Sequence, residues 1–315
     1  MGMSLANRTP PTDADYAEYR SRYRNWGKWG DDDEFGTLNY VTPDVRRAAA
    51  ALVAEGRTVS MARPLDTHAS PANPYPAHTF VALEGSGGML DYVGCFVHGF
   101  TQTHIDALCH LRTAEDNAFW NGRPFGHSMM PQDHTGTIDF WRDGIVTRGV
   151  LYDIPRLRGV EYVAPGEPVH GWELADAAEA QGIEPRAGDA VIIRSGYAPY
   201  FAATKEPPKF GSPSGVHASC IEFLADTEAG LLAWDLQDAP NADQGLTPII
   251  PGVDIALHVH HIVLPYMGMP IVDNCELEDA AAMCAELGRW EFQFVVAPLV
   301  ITRGTGSPVN PLAVF

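Results

Sequence analysis

Runs of apolar residues separated by glycine and proline turns predict a chain of short strands with a few helices between them. Strand patterns occur at residues 58–62, 80–83, 92–97, 98–110, 149–153, 188–194, 230–235, 258–264 and 291–301. Helical patterns with a capping residue or a terminal glycine occur at residues 43–56, 172–181, 219–226 and 276–287. Strands interspersed with helices favour a single mixed α/β domain.

The N-terminal region has a different character from the rest of the chain. Residues 1–24 are polar and are expected to form an arm, and the domain proper is expected to span residues 25–315. A glycine-rich loop follows the arm and carries Trp26 and Trp29. These two side chains either close over a ligand or anchor the arm on the body. A second long irregular segment, residues 111–143, carries Trp120, and loops of this length are often functional.

Composition narrows the classes of function. The chain has 315 residues, is 45% apolar and carries a formal charge of −19, so it can bury a sizeable core. Its acidity argues against binding nucleic acid or an anionic membrane surface. The sequence has no apolar run of membrane-spanning length and no apolar signal core at its start. Five scattered cysteines without a Cys-x-x-Cys pair favour free thiols and a cytoplasmic location.

Potential metal ligands are most closely spaced in residues 98–110, which have the sequence HGFTQTHIDALCH. Side chains alternate along a strand, so an extended conformation would place one set on a single face: His98, Phe100, Gln102, His104 and Asp106. Imidazole nitrogen beside carboxylate oxygen suits Zn²⁺, Mn²⁺ or Fe²⁺. We therefore expect His104 and Asp106 to bind a metal, with His110 above the same site. A metal-free strand with core histidines is the alternative.

A second group of candidate ligands lies late in the chain. Residues 257–261 have the sequence LHVHH, and Asp273 follows twelve residues after His261. On a strand, His258 and His260 would face one way and His261 the other, so the three cannot all bind one ion. A metal-free core cluster is again the alternative. Two separated groups would together supply enough ligands for a metal.

The first segment resembles the signature of the cyclase family of metal-dependent hydrolases, which includes bacterial kynurenine formamidase and isatin hydrolase. The family pattern is His-x-Gly-Thr-His-x-Asp-x-Pro-x-His. Its second half matches His104, Asp106 and His110, whereas Phe100 stands at the first histidine and Gln102 at the glycine.

The late segment and the C-terminus resemble the same family. The late pattern of a histidine, an apolar run and a glutamate matches His261 and Asp273, with aspartate in place of glutamate. Residues 304–311 resemble the tail of the longer members.

The resemblance implies a swivelling β/β/α fold, a homodimer and a divalent metal, Zn or Mn. It implies a ligand set of His104, Asp106, His261 and Asp273, with Gln102 or His98 replacing the missing first ligand. Since a phenyl ring cannot coordinate the ion, we expect one tightly held ion per chain and any second ion to be weak.

The expected reaction is hydrolysis of a carbon–nitrogen bond in a small aromatic amide, formamide or lactam. Water bound to the metal attacks the carbonyl, and His110 passes a proton to the leaving nitrogen. A planar substrate would suit an aromatic pocket formed by Trp26, Trp29, Phe100 and Trp120. The alternatives are a lactone hydrolase, a polyketide-type cyclase or dehydratase, and a catalytically silent metal-binding protein.

Overall fold

The computed structural model describes residues 3–71, 73–124, 135–205, 214–249 and 257–315. The strands in these residues are β1 (Thr58–Ser60), β2 (His78–Leu83), β3 (Met89–Gly94), β4 (His104–Asp106), β5 (Ala118–Phe119), β6 (Arg123–Pro124), β7 (Ile145–Asp153), β8 (Ala190–Arg194), β9 (Leu231–Trp234), β10 (Ile271–Asp273), β11 (Glu291–Val296), β12 (Gly306–Pro308) and β13 (Leu312–Val314).

The α-helices in the same residues are α1 (Met3–Asn7), α2 (Asp13–Arg22), α3 (Pro43–Ala50), α4 (Ile154–Arg158), α5 (Gly171–Gln181), α6 (Tyr197–Thr204), α7 (Cys220–Asp226), α8 (Asn241–Gln244), α9 (His260–Ile262) and α10 (Glu278–Leu287). Short 3₁₀ turns occur at Gly36–Tyr40, Trp120–Gly122 and Ile138–Trp141. A π-helical turn, Val263–Met267, continues α9. No described helix has both the length and the apolar character needed to cross a bilayer.

Nine strands form one mixed sheet in the order β1-β13-β11-β7-β8-β9-β10-β4-β12. The central strands β7, β8, β9 and β10 run parallel to their neighbours in that series. Antiparallel strands extend the sheet on both sides, with β11 beside β7 and β4 beside β10. The predicted mixed α/β fold is confirmed.

The central strands are buried on both faces because helices cover each side of the sheet. On one face, side chains such as Tyr152 and Trp234 join a core with α5 and α7. On the other face, Leu151 and Ala233 join a core with α10. Residues one apart therefore point into different cores, which explains why these strands are continuously apolar in the sequence.

Most helix ends follow the local signals. Thr42 caps α3, since its hydroxyl accepts a hydrogen bond from the Val45 amide at 3.3 Å. Gly182 ends α5 with φ +68°. However, α3 ends at Ala50 and not near Gly56.

Two predicted strands are wrong. The segment 98–110 is extended only over the three residues of β4, and residues 98–102 bend. The segment 258–264 forms α9 and the π-helical turn. Alternation along a strand therefore does not govern either histidine group over its full length. Residues 125–134 of the predicted irregular segment lie outside the described residues.

The predicted arm forms α1 and α2 and packs onto the body. Tyr19 is buried and donates its hydroxyl proton to Glu222 at 2.6 Å. Tyr16 is also buried and donates to the His258 carbonyl at 2.7 Å. The division of the chain at residues 24 and 25 stays a prediction. All five cysteines are free.

Candidate metal centre

The centre is built where β4 pairs with β10. His104 lies directly opposite Asp273 in the antiparallel register, and Asp106 lies opposite Ile271. Residues that lie opposite each other share a face, so His104, Asp106 and Asp273 all point to the same side of the sheet. Each of the three is at most 2% exposed. Two carboxylates buried this close together are costly unless cations or hydrogen-bond donors offset their charge.

A first group of potential ligands consists of His104, Asp106 and Asp273. The His104 Nε2 atom lies 3.5 Å from Asp106 Oδ1 and 3.5 Å from Asp273 Oδ2. Its Nδ1 atom donates to the Gln102 carbonyl at 2.9 Å. A carbonyl oxygen can only accept, so Nδ1 carries a proton and Nε2 is the ring nitrogen that faces the two carboxylates.

A second group shares Asp106 and adds His98 and His110. His98 Nδ1 donates to Asp106 Oδ1 at 2.8 Å, and its Nε2 is hydrogen-bonded to the Thr305 hydroxyl at 2.9 Å. The rings of His98 and His110 stack with centroids 3.6 Å apart and planes 6° apart. His110 Nε2 lies 3.8 Å from Asp106 Oδ2. Asp106 is therefore the residue common to both groups.

His260 also faces this centre, although the strand argument set it on the side away from His261. Its Nε2 atom lies 3.1 Å from Asp273 Oδ2 and 3.7 Å from Asp106 Oδ2. Its Nδ1 atom donates to the buried Asp238. Burial disfavours the charged imidazole, but Asp273 and Asp238 outweigh it and hold the pKa of His260 well above its usual value. The late histidine pattern left His260 without an assigned role, and no sequence pattern pointed to Asp238.

Asp273 is positioned by two further side chains. The Trp234 indole donates to Asp273 Oδ1, and Gln237 Nε2 donates to Oδ2 at 3.1 Å. Both come from the strand β9 and the turn after it, next to β10 in the sheet. Neither was predicted, because the sheet neighbours of a strand are not visible in its own sequence.

The bend before β4 is held by Asn274, the residue that follows Asp273. Asn274 has φ +56° and donates through Nδ2 to the carbonyls of Gly99 at 2.9 Å and Gln102 at 3.0 Å. Asparagine tolerates this left-handed backbone better than most residues. The left-handed turn thus ties the late segment to the early one beside the ligands.

The donors fit a divalent metal ion. Asp106 Oδ2 is buried without a hydrogen-bond partner, which is costly unless something compensates it. Ligand atoms about 2.0–2.1 Å from a tetrahedral zinc lie about 3.3 Å from one another. The separations around Asp106 and Asp273, from 3.1 to 3.8 Å, are close to that value. Two carboxylates also match the charge of one such ion.

The protonation of Asp106 and His110 favours the same use. Burial raises the pKa of Asp106, but His110, His98 and His104 outweigh it and hold this pKa below the usual value. Burial is the main reason that the pKa of His110 falls to about 3. A carboxylate and a neutral imidazole are the forms that bind metals.

Two sequence candidates lie beside the two groups rather than in them. His261 is buried, its Nδ1 has no hydrogen-bond partner, and burial is the main cause that lowers its pKa to about 3. Gln102 is also buried, and its Nε2 has no partner. Ligation by either side chain stays a prediction. Pro265 directly follows the predicted strand 258–264, and since proline is rare inside a sheet it argues only against a longer strand.

The aromatic candidates mainly make packing contacts. Trp120 is fully buried and donates to the Asp33 carbonyl at 3.2 Å. Trp29 contacts Trp120 with ring centroids 6.2 Å apart. Trp26 donates to the Pro265 carbonyl at 2.7 Å. These contacts anchor the glycine-rich loop on the body. Phe100 is partly buried in the bend before β4, and the aromatic pocket stays a prediction.

Comparison with known proteins gives one family. Residues 59–243 match the family described as putative cyclase. No curated protein matches the sequence. A crystal structure described as a novel cyclase is 28% identical, covers 94% of this chain and 99% of its own, and has a TM-score of 0.78.

Two isatin hydrolase structures are similar in fold. One, bound to the product analogue thioisatinate, is 18% identical over 86% of this chain and 97% of its own, with a TM-score of 0.56. Isatin hydrolase A from Ralstonia solanacearum is 19% identical over 86% and 97%, with a TM-score of 0.54.

Proposed function

Since the chain belongs to the putative cyclase family, we propose that it is a metal-dependent hydrolase. Its substrate is a small aromatic amide, formamide or lactam, in which it cleaves the carbon–nitrogen bond. The main support for a bound metal is the Asp106 Oδ2 atom, which is buried without a hydrogen-bond partner and lies among imidazole nitrogens. Cleavage of a carbon–nitrogen bond is supported only by the similarity of this fold to that of the isatin hydrolases.

The residues that would hold Zn or Mn are His104, Asp106 and Asp273, with His260 alongside. When bound, such an ion lowers the pKa of a coordinated water and polarises a carbonyl. Asp238 and the Gln102 carbonyl orient His260 and His104 through their second ring nitrogens. Outer contacts of this kind typically change metal affinity about 10–100-fold.

One tight ion per chain is the expected stoichiometry. Both ring nitrogens of His98 already have hydrogen-bond partners, Asp106 and Thr305. Ligation by His98 would break one of these bonds, whereas Nε2 of His104 already points at Asp106 and Asp273. Two tightly bound ions in both the wild type and His98→Ala would refute a one-ion centre.

His110 is the proposed acid and base. Its imidazole is neutral at neutral pH, because burial lowers its pKa to about 3. The Asp106 carboxylate, 3.8 Å from its Nε2 atom, opposes that shift and would favour the protonated ring once His110 accepts a proton from the attacking water. His110 then delivers that proton to the leaving nitrogen as the tetrahedral intermediate collapses. The His98 ring stacked on it at 3.6 Å restricts its orientation.

The test is turnover by chelator-stripped protein with and without added Zn²⁺ or Mn²⁺. The panel contains an aryl formamide, isatin, a simple aryl amide and an aryl lactone. We expect hydrolysis of at least one carbon–nitrogen substrate that depends on the added metal. Asp106→Asn is the matched inactive control, since it preserves shape but removes the charge.

Two results would contradict the proposal. Turnover of the lactone with none of the nitrogen substrates would make the protein a lactone hydrolase. Stoichiometric metal binding without turnover of any substrate would favour the catalytically silent protein.

A further inference from the structure

Residues 13–26 contact the segment of the chain that carries His260. These residues comprise α2 and the start of the glycine-rich loop, and we call them the N-terminal clamp. The contacted segment, residues 258–267, comprises the turn before α9, α9 itself and the π-helical turn. The two stretches lie far apart in the sequence, so only the tertiary fold brings them together.

The clamp holds the start of this segment through a closed ring of hydrogen bonds. The buried Tyr16 hydroxyl donates to the His258 carbonyl at 2.7 Å. The His258 Nε2 atom donates to the Thr247 carbonyl at 3.2 Å. Asp13 accepts from Thr247 twice, from the backbone N–H at 2.7 Å and from the hydroxyl at 2.8 Å. Since Asp13 and Tyr16 are in the same helix, α2 fixes the turn that leads into α9.

The clamp also holds the end of the segment. The Trp26 indole donates to the Pro265 carbonyl at 2.7 Å. Asn25 donates through its backbone N–H to the Tyr266 carbonyl at 2.9 Å and through Nδ2 to the Met267 carbonyl at 3.0 Å. The last carbonyls of a helix have no partner within the helix. The clamp therefore supplies three hydrogen bonds that the π-helical turn cannot form by itself.

The conformation held in this way decides where His260 points. A π-helical turn is rare and occurs mostly at functional sites. Here it continues α9, in which the His260 Nε2 atom lies 3.1 Å from Asp273 Oδ2. Because the clamp binds the backbone on both sides of His260, it restricts the movement of that imidazole relative to the carboxylates.

We propose that the N-terminal clamp is a positioning element of the metal centre and keeps His260 in place to meet a bound divalent ion. The inference rests on the metal centre of the proposed function. When a binding-competent conformation is only partly populated, the apparent affinity falls by that fraction. Tyr16 and Trp26 are thus positioning residues that act through the backbone of residues 258–267. For Trp26 this role is independent of any aromatic pocket.

Calorimetric titration of the chelator-stripped full chain with Zn²⁺ or Mn²⁺ tests the clamp. Tyr16→Phe and Trp26→Phe each keep an aromatic ring and remove one neutral hydrogen bond to a carbonyl. A bond of this kind changes an equilibrium constant by about twofold to tenfold. Each variant should bind the metal more weakly by about that factor, and the double variant on the order of tenfold more weakly.

Tyr19→Phe combined with Trp141→Phe is the matched control. Tyr19 lies one turn after Tyr16 in α2 and is equally buried, but its hydroxyl donates to Glu222 on α7 at 2.6 Å. The Trp141 indole donates to the Glu34 carbonyl at 3.0 Å. The control therefore removes the same two chemical groups without touching the segment that carries the histidine. Both double variants should lose thermal stability, whereas only the clamp variant should lose metal affinity.

Hydrogen exchange of the wild type tests the same coupling without a variant, because coupling between two sites is reciprocal. If the clamp raises metal affinity, a bound metal must also stabilise the clamp. Amides of α2 should exchange on the order of tenfold more slowly with Zn²⁺ or Mn²⁺ than without it. Amides of α3 are the reference, since α3 packs on β7 and β11 and reports any protection of the whole molecule.

The outcomes separate this inference from the proposed function. Wild-type metal affinity in the Tyr16→Phe, Trp26→Phe double variant would overturn the inference, and so would an equal loss of affinity in the control. Exchange in α2 that bound metal slows no more than exchange in α3 would overturn it as well. A wild type that binds neither Zn²⁺ nor Mn²⁺ would instead refute the proposed function, and the inference with it.

Discussion

Replacing Trp234 with phenylalanine should weaken metal binding while leaving the protein folded. Trp234 is fully buried on β9, and its indole nitrogen donates to Asp273 Oδ1. Phenylalanine keeps the apolar ring in the core but cannot donate a hydrogen bond. Asp273 would then be held only through Oδ2, by Gln237 and His260. The carboxylate gains freedom to rotate away from His104.

The size of the effect follows from that single bond. A hydrogen bond to a charged group contributes about 1.5–3 kcal/mol, and about 1.4 kcal/mol corresponds to a factor of ten in affinity. The expected loss is therefore about tenfold to a hundredfold. This agrees with the range of about 10–100-fold found when outer contacts to metal ligands are removed.

The assay is calorimetric titration of chelator-stripped protein with Zn²⁺ or Mn²⁺, together with thermal unfolding of the metal-free protein. Trp141→Phe is a matched control, because Trp141 is 2% exposed and its indole donates to the Glu34 carbonyl at 3.0 Å, away from the carboxylates. Both variants should lose some stability, less than the about 3–5 kcal/mol typical of truncating a buried tryptophan to alanine. Only Trp234→Phe should lose metal affinity. Equal metal affinity in Trp234→Phe and the wild type would refute the role given to Trp234.

Three further substitutions test other parts of the molecule. Asp106→Asn should abolish stoichiometric metal binding after dialysis, and full metal content would show that the centre is wrongly assigned. His110→Asn should retain metal and lose about 10²–10⁴ in rate; loss of its metal would instead make His110 a ligand. Arg148→Met should destabilise the fold by about 3–5 kcal/mol in urea unfolding, because it leaves Asp189, 2.6 Å from the guanidinium, buried without its cation. A loss below about 1 kcal/mol would contradict that reasoning.

Local signals in the sequence determined several features correctly. His104 and Asp106 are two residues apart on a strand, so their shared face follows from strand geometry alone. Thr42 and Gly182 mark helix ends because capping acts within a few residues. The continuously apolar strand over Leu231–Trp234 follows from burial on both faces.

Tertiary structure alone decided how the two histidine groups meet. A short apolar run is ambiguous between helix and strand, and packing in the core made residues 260–267 helical. That conformation brings His260 towards Asp273. The antiparallel register of β4 and β10 places Asp273 opposite His104, and the neighbouring β9 supplies Trp234.

The hydrogen-bond partners of residues 98–110 could not be predicted from the sequence of that segment either. Thr305, which is hydrogen-bonded to His98, lies more than two hundred positions away along the chain. The hairpin of β2 and β3 appears locally as two ordinary strands. Its exposure on both faces shows only once the nine-stranded sheet has formed without it. Periodicity specifies which side chains share a face, whereas the contacts across a sheet depend on which distant segments pair, and that is a property of the whole fold.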